Sequence, residues 1–296
     1  MPVTLIQLRT REKVDYGVSP GTSTLNRSYR TLLRRIINEL HSSLSGAAGD
    51  GDFNFQYDPN EVAHANAGLA ISSGSGAVGA TLNGVATTAT WATSDTVAAG
   101  LIAYAIASST TAKVKGMFLA NNLHASITLA SVTAGQYVDI CGTRFTATNG
   151  TPAQIHSGQN AFTFDMSGND AADATALAAA INAAPDLSRY VFAIPVSNVV
   201  RLFARQATWS TTTSAWSWPA RSRQPTNIIT ASAATFTLSG STLVASAYVG
   251  IQSVVGGAVG NVHTIAASGT GVTVLNSETA LARGTALDNG AIIGEG

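Results

Sequence analysis

The sequence has few charged side chains. Asp, Glu, Lys and Arg make up 11% of its 296 residues, against about 25% in an ordinary soluble domain. Sixteen basic and sixteen acidic residues give a formal net charge of zero, which removes the repulsion that keeps free molecules apart. This balance argues against binding of duplex DNA or an anionic membrane by the chain as a whole. We expect much of the surface to be buried against neighbouring molecules.

Cysteine and long apolar runs are also scarce. Cys141 is the only cysteine, so intramolecular disulfides are excluded, and a lone thiol is more often a small core residue than a nucleophile. No apolar run approaches the roughly 20 residues of a membrane helix. The first eight residues lack the flanks of a signal peptide. We expect a soluble protein made inside a cell, whose stability comes from packing and assembly.

Motifs that carry chemistry are few. No Gly-x-Ser-x-Gly elbow occurs, and no pair of carboxylates suggests a glycan hydrolase. Gly74–Gly79 satisfies the letters of a dinucleotide fingerprint, but a strand hairpin follows it instead of a phosphate-binding helix. The histidines lack the spacing of a metal site: they are His41, His64, His124, His156 and His263. We predict that the chain is not an enzyme, and we assign no catalytic, cofactor-binding or metal-ligating residue.

Residues 50–61 give the sharpest chemical alternative, a calcium-binding loop. Their oxygen-bearing side chains match its ligand positions: they are Asp50, Asp52, Asn54, Asp58 and Glu61. The position that needs glycine for the sharp turn is Phe55, and Pro59 begins no obvious second helix. We therefore favour a segment without calcium.

Basic residues are concentrated at the N-terminal end. Seven Lys and Arg residues precede Ile36, and the next one is Lys113. Residues 1–27 alternate turn formers with charged positions, which predicts an extended arm. Apolar residues recur at helical spacing over Ser28–Leu44, which predicts an amphipathic helix with a basic face. This face fits an acidic neighbouring subunit better than packaged DNA, which is the alternative partner.

Two segments beyond Gly68 have the pattern of one ββαββ unit. The first copy has an Asn83-Gly84 hairpin turn, and the second begins at Tyr137. An offset of 75 residues superposes the two predicted helices, with Asp95 and Asp170 as N-caps. The same offset aligns two closing strands in each copy, with an insertion in the second hairpin near residues 149–161.

The predicted fold is therefore α+β and mainly β, in three regions. Residues 1–67 form the arm and amphipathic helix, residues 68–134 the first unit, and residues 135–296 the second unit. The Gly-punctuated strands from Gly256 to Gly284 are expected to complete the second unit.

A Trp-rich β insertion over about residues 207–249 is predicted to be an exposed, interacting appendage. Trp209, Trp216 and Trp218 suit the stacking of sugar or nucleobase rings. A local core or an assembly contact is the interpretation that we favour for this cluster.

Four segments of the sequence resemble modules common in structural proteins of tailed bacteriophages: Gly79–Asp95, Asp170–Asn182, Gly260-Asn261 and Gly269–Thr273. The resemblance covers about Gly76–Gly284 and extends to head, tail and fibre components alike. The N-terminal strings Leu5–Arg11 and Ile36–Leu40 are similar to the opening of phage head-to-tail adaptor proteins, although those proteins are largely helical.

The resemblance implies a virion structural protein that is assembled in the host bacterial cytoplasm. Its expected partners are copies of itself and other capsid or tail subunits, and no membrane. Capsid decoration or cementing is the role expected first. A tail or head-to-tail connector ring component and a glycan- or receptor-binding module of the virion are the alternatives.

Overall fold

The structure is a computed structural model, and it describes residues 63–284 except 92, 151–160, 185–186 and 220–224. Several features discussed above lie outside these residues: the predicted arm, the amphipathic helix over Ser28–Leu44, the calcium loop at 50–61, His41 and His156. Strands dominate the described part of the chain, and two α-helices accompany them. The prediction of a mainly β, α+β fold is confirmed. No described helix has the length and apolar character needed to cross a membrane.

The elements follow one another in this order: β1 (His64–Leu82), β2 (Val85–Thr90), α1 (Asp95–Ala107), β3 (Phe118–Leu129), β4 (Tyr137–Ile140), β5 (Thr143–Thr148), β6 (Ala161–Asp165), α2 (Asp170–Ala183), β7 (Val191–Val196), β8 (Val199–Ala204), β9 (Thr208–Ser210), β10 (Ala215–Ser217), β11 (Ile229–Ala231), β12 (Phe236–Leu238), β13 (Val244–Gly256) and β14 (Ile265–Val274). Short 3-10 helices cover Leu187–Arg189, Ala258–Val262 and Leu275–Ser277.

The strands form three sheets. The main sheet has the order β14-β1-β13-β3-β8-β7, with β2 paired to β1 and β12 paired to β3. A four-stranded sheet has the order β11-β4-β5-β6, and β9 pairs with β10 alone. Every pairing is antiparallel except that of β5 with β6. Tight turns suffice for antiparallel neighbours, whereas the parallel β6 needs the longer connection that follows β5. The expectation of an insertion in the second hairpin near residues 149–161 is therefore wrong, because that hairpin closes between Ile140 and Thr143 and β6 is parallel to β5.

Both helices begin with a capped turn. The N-caps are Ser94, whose side chain accepts the Val97 N–H, and Asn169, which accepts the N–H groups of Ala171 and Ala172. The prediction that Asp95 and Asp170 are N-caps is wrong by one residue, since each is the first helical residue. Their carboxylates instead accept backbone N–H groups from outside the helix, as is favourable near the positive end of a helix.

The helices pack on two separate hydrophobic cores. The α1 core joins α1 to β1, β13 and β14, and it includes Leu69, Ile71, Val78, Leu82, Ile102, Ile106, Phe118, Ala120, Val249, Ile251, Ile265 and Val272. The α2 core joins α2 to β3 through β8 and to β11, and it includes Leu123, Ile127, Leu129, Ile140, Phe145, Phe164, Leu177, Ile181, Val191, Leu202 and Ile229. The apolar pairs that the sequence aligns, Ile102 with Ile106 and Leu177 with Ile181, are buried in these cores.

Strand β3 belongs to both cores. Phe118 and Ala120 contribute to the α1 core, whereas Leu123 and Ile127 contribute to the α2 core. The strand passes from the α1 core to the α2 core between Asn121 and Leu123. There the Leu123 N–H donates to the Asn121 side-chain oxygen (3.0 Å), and the pairing of β3 with β13 shifts register. The two closing strands expected for the first copy are thus one continuous strand.

The C-terminal strands pair differently from the sequence-based expectation. The strands from Gly256 to Gly284 are expected to complete the second unit, but β14, which lies among them, pairs with β1 and packs in the α1 core, as β13 does. Sequence patterns did not predict this pairing because it joins segments that are distant in the chain, such as Leu69 with Val249 and Val274. A local pattern carries no information about such partners. The domain boundaries at residues 67/68 and 134/135 stay a prediction.

Candidate interaction surfaces

The described cysteine and histidines lie apart from one another. Cys141 occupies a turn position with φ of 49° and is buried, and burial raises the pKa of its thiol to about 12. His64 donates from Nδ1 to the Ser253 carbonyl (2.9 Å), and its Nε2 accepts a hydrogen bond from Arg205 (2.7 Å). Within the described part of the chain, no group of three His, Cys, Asp or Glu residues could hold a metal ion. These residues suit structural roles.

The Trp cluster is anchored to the body of the protein. The Trp209 ring stacks on Tyr104 of α1, with centroids 4.7 Å apart, and contacts Trp216 at 5.3 Å. Trp216 packs against both cores, and its indole N–H donates to the Gly100 carbonyl of α1 (3.0 Å). The Trp218 indole N–H donates to the Pro225 carbonyl (3.3 Å). The described strands of the predicted appendage are docked as well, since β11 pairs with β4 and β12 with β3.

A polar and aromatic cluster lies on the face of the main sheet opposite the helices. The Arg201 guanidinium lies 4.1 Å from the centre of the Tyr248 ring, and Tyr248 also contacts His124 at 4.6 Å. Burial, followed by the charge of Arg201, lowers the pKa of His124 to about 3. Sequence analysis missed this cluster because its members come from β3, β8 and β13, which are distant in sequence.

One edge of the main sheet is closed by side chains. The outer side of β7 meets Asn182 of α2, whose side-chain amide donates to the Ala193 carbonyl (2.9 Å) and accepts its N–H (2.8 Å). Pro195 has no N–H to offer, and its carbonyl accepts a hydrogen bond from Asn276 (2.8 Å). These contacts replace the hydrogen bonds that another strand would make. Monomeric proteins protect sheet edges in this way.

Among the described residues, the edge of β2 has no such protection. β2 pairs with β1 through six consecutive residues without a register shift, from Val85 opposite Leu82 to Thr90 opposite Ala77. No described strand pairs with its other side. Its sequence, Val-Ala-Thr-Thr-Ala-Thr, contains no charged residue and no proline. Lys, Pro or a bulge on an edge strand normally prevents pairing with another chain, and β2 has none of them.

The edge of β14 is open but irregular. Its pairing with β1 shifts register on both sides of Thr270, where Gly269 and Gly271 have φ values of 89° and 77°. A Cβ at Gly271 would meet the Ser72 carbonyl oxygen at 2.0 Å, so the backbones approach closely at this bulge. Bulges disfavour further pairing. β2 is therefore a better template for an incoming strand than β14.

No family model matches this chain, and no curated protein matches it significantly.

Proposed function

We propose that this chain is a non-catalytic structural subunit of a tailed bacteriophage virion, and that it decorates and cements the capsid through strand-edge and arm contacts. It works by binding and not by turnover. Its partners are copies of itself and neighbouring capsid subunits, and it is assembled into the particle in the host cytoplasm.

The observation that carries this proposal is the contrast between the protected edge of β7 and the unprotected, uncharged edge of β2. Backbone N–H and C=O groups on an open edge are satisfied best by another strand. A free monomer gains nothing from such an edge and risks aggregation, whereas an assembly subunit uses it for contacts. The low charge of the chain fits the same role, because little repulsion opposes close packing of copies.

We also propose that the α1 and α2 units are copies of one ββαββ repeat. The Asn83-Gly84 turn, with φ values of 51° and 77°, has its counterpart 58 residues later in Cys141-Gly142, with φ values of 49° and 85°. A hairpin surrounds each turn and a helix follows it. The carboxylate of the first helical residue accepts the N–H of a serine with positive φ in both units, Ser73 for Asp95 (2.9 Å) and Ser131 for Asp170 (2.8 Å).

The phage assignment is supported by where the phage-like strings lie. Gly79–Asp95 spans the hairpin and the start of α1, and Asp170–Asn182 spans most of α2. These are the segments that the two units have in common. Two of the four strings that resemble phage modules thus coincide with the proposed repeat, whereas Gly260-Asn261 lies in a 3-10 helix and Gly269–Thr273 in β14.

The experiment is cryo-electron microscopy of intact particles that carry this subunit with a label. We expect label over the capsid lattice. Label confined to one vertex or to the tail would exclude decoration and support the alternative of a tail or head-to-tail connector ring. Absence of the subunit from purified particles would overturn the virion assignment.

The glycan- or receptor-binding alternative is tested with the Trp cluster. The indole N–H groups of Trp216 and Trp218 already donate hydrogen bonds within the chain. The Trp209 ring stacks on Tyr104 and makes a tilted contact with Trp216. These contacts support an anchoring role for the cluster. Glycan binding that is abolished in Trp209→Ala, with folding intact, would support the alternative.

A further inference from the structure

We propose that β2 is a self-assembly edge, which pairs antiparallel with β2 of a second copy about a two-fold axis. The main sheet then continues from one subunit into the next. This inference rests on the proposed function in so far as that proposal treats open strand edges as assembly surfaces, and it names the strand and the partner.

The second half of the molecule shows what the β2 edge lacks. The β4–β5 hairpin is flanked on both sides, by β11 next to β4 and by β6 next to β5. The β1–β2 hairpin is flanked by β14 next to β1, but no described strand lies next to β2. No described strand of the α1 unit thus occupies the position that β6 has in the α2 unit. An incoming strand at β2 gives each hairpin a neighbouring strand on both sides, although β6 is parallel to β5 and the partner's β2 is antiparallel.

The hairpin geometry fixes which backbone groups are available. A two-residue turn places Leu82 and Val85 in a hydrogen-bonded pair, so alternate residues from Val85 onward bond to β1. The backbone N–H of Trp91 continues this alternation by donating to the Gly76 carbonyl (2.7 Å). The N–H and C=O groups of Ala86, Thr88 and Thr90 therefore point away from β1. These three alternate residues supply the backbone donors and acceptors with which one more strand can pair.

A second copy is the occupant that fits this edge. A two-fold contact brings the same strand to both sides, so any charge on β2 would face an identical charge and repel it. β2 has no charged residue, and the whole chain has a formal net charge of zero. With Thr88 on the axis, Ala86 lies opposite the partner's Thr90. Threonine pairs across antiparallel strands are favourable.

The first test uses the full chain and measures the dimer dissociation constant by sedimentation. Thr88→Pro removes an N–H that faces away from β1, so the hairpin keeps its own ladder while the edge is blocked. We expect the wild-type chain to dimerise, and Thr88→Pro and Thr88→Lys to weaken the dimer by about tenfold or more. The matched control Thr273→Lys places the same charge on the edge strand β14, at an exposed residue, and we expect it to dimerise like the wild type.

Two outcomes of this test would overturn the inference. One is a wild-type chain that stays monomeric over the whole concentration range. The other is a dimer that Thr273→Lys dissociates and Thr88→Pro does not, which would assign the contact to β14. Circular dichroism and the unfolding midpoint of each variant establish that it is folded, and Thr88→Lys serves if proline disturbs the hairpin.

A cross-link gives independent evidence on register. Cys141, the natural cysteine, is buried, so Thr88→Cys introduces the only accessible thiol in the described residues. Residues directly opposite in an antiparallel pair have Cα atoms about 5.5 Å apart, which a disulfide can span. Mild oxidation is expected to give a covalent dimer with Thr88→Cys and none with Thr273→Cys. The reverse result would contradict pairing through β2.

The inference and the proposed function can fail separately. A chain that dimerises through β2 but is absent from particles contradicts only the virion assignment. Conversely, a labelled subunit that decorates particles normally as Thr88→Pro and is monomeric in solution sinks only the β2 contact.

Discussion

At the scale of single residues, His124 couples stability to pH. It lies between Phe203 and Tyr248 and beside Arg201, and its pKa is lowered to about 3 from an ordinary value of 6.5. The unfolded chain therefore takes up the proton first as the pH falls. The free energy of unfolding is at its full value above pH 6.5 and decreases as the pH falls from 6.5 towards 3.

We predict that His124→Gln flattens this decrease. Between pH 6.5 and about pH 5 the wild type should lose roughly 1.5 kcal/mol more than the variant, as measured by urea unfolding at each pH. The pKa values of His64 and His263 are also lowered, in each case chiefly by burial, and they add a slope of the same sign to both proteins. Parallel curves for the two proteins would show that His124 is protonated equally in the folded and unfolded chains.

Arg283 is the residue that fastens the C-terminal segment to β1. Its φ is 68°, and its guanidinium donates to the Asn66 side-chain oxygen (2.6 Å), to the Asn66 carbonyl (2.9 Å) and to both carboxylate oxygens of Glu278. The two side chains of the ion pair are 19% and 14% exposed. Removing one partner of such a shielded pair leaves the other charge uncompensated.

We predict that Arg283→Ala lowers the free energy of unfolding by about 3 kcal/mol. The matched control is Arg144→Ala, which breaks an ion pair with Asp139 whose side chains are 46% and 29% exposed, and it should lower the free energy of unfolding much less, because solvent screens an exposed pair. Chemical denaturation of both variants at one pH measures the difference. Equal losses would mean that shielding at Arg283 contributes nothing.

At the scale of elements, the closed edge of β7 makes a prediction of its own. Asn182→Ala removes the side chain that satisfies both backbone groups of Ala193, which is fully buried. The expected cost is about 2–3 kcal/mol, with faster hydrogen exchange at the Ala193 amide. Asn198→Ala, which removes only one bond to the Leu129 carbonyl, is the control. An unchanged exchange rate at Ala193 would show that Asn182 does not protect the edge.

The β9–β10 hairpin depends on Trp216 for its attachment. Because this ring packs against both cores and its N–H donates to α1, Trp216→Ala should lower the free energy of unfolding by about 3–4 kcal/mol. Trp216→Phe keeps a ring, and its loss should be nearer 1 kcal/mol. Thermal unfolding of the two variants gives the comparison. Similar small losses in both would mean that the hairpin is loosely attached.

Local patterns foretold the elements far better than their pairing. The Asn83-Gly84 turn and the Ile102/Ile106 and Leu177/Ile181 pairs predicted a hairpin and two helices because turn residues and helical spacing act over a few positions. The pairing of β1 with β13 and β14 joins residues at least 178 positions apart, and alternation within a strand does not say which strand lies beside it. The same limit hid Arg201, His124 and Tyr248, whereas the uncharged composition of β2 was visible in the sequence.

For the whole molecule, the strand β3 and Trp216 link the α1 and α2 cores. Neither core can open completely without disturbing the strand that it shares with the other. We therefore predict one opening free energy for amides of α1 and α2, measured by native-state hydrogen exchange in increasing urea. Clearly different limiting values for Ile102 and Leu177 would show that the two cores unfold independently.

The nesting of the two cores also sets an order of events during translation. The α2 core is built from one stretch of chain, from Leu123 to Leu243, whereas the α1 core needs residues at both ends of that stretch, such as Leu69 and Ile251. As the chain leaves the ribosome, the inner core has all its parts first, and the outer core waits for β13 and β14. A chain that terminates before β13 lacks both strands that flank β1 near Leu69, which are β13 and β14, so its α1 core stays incomplete. Only finished chains can then enter assembly through that half of the molecule.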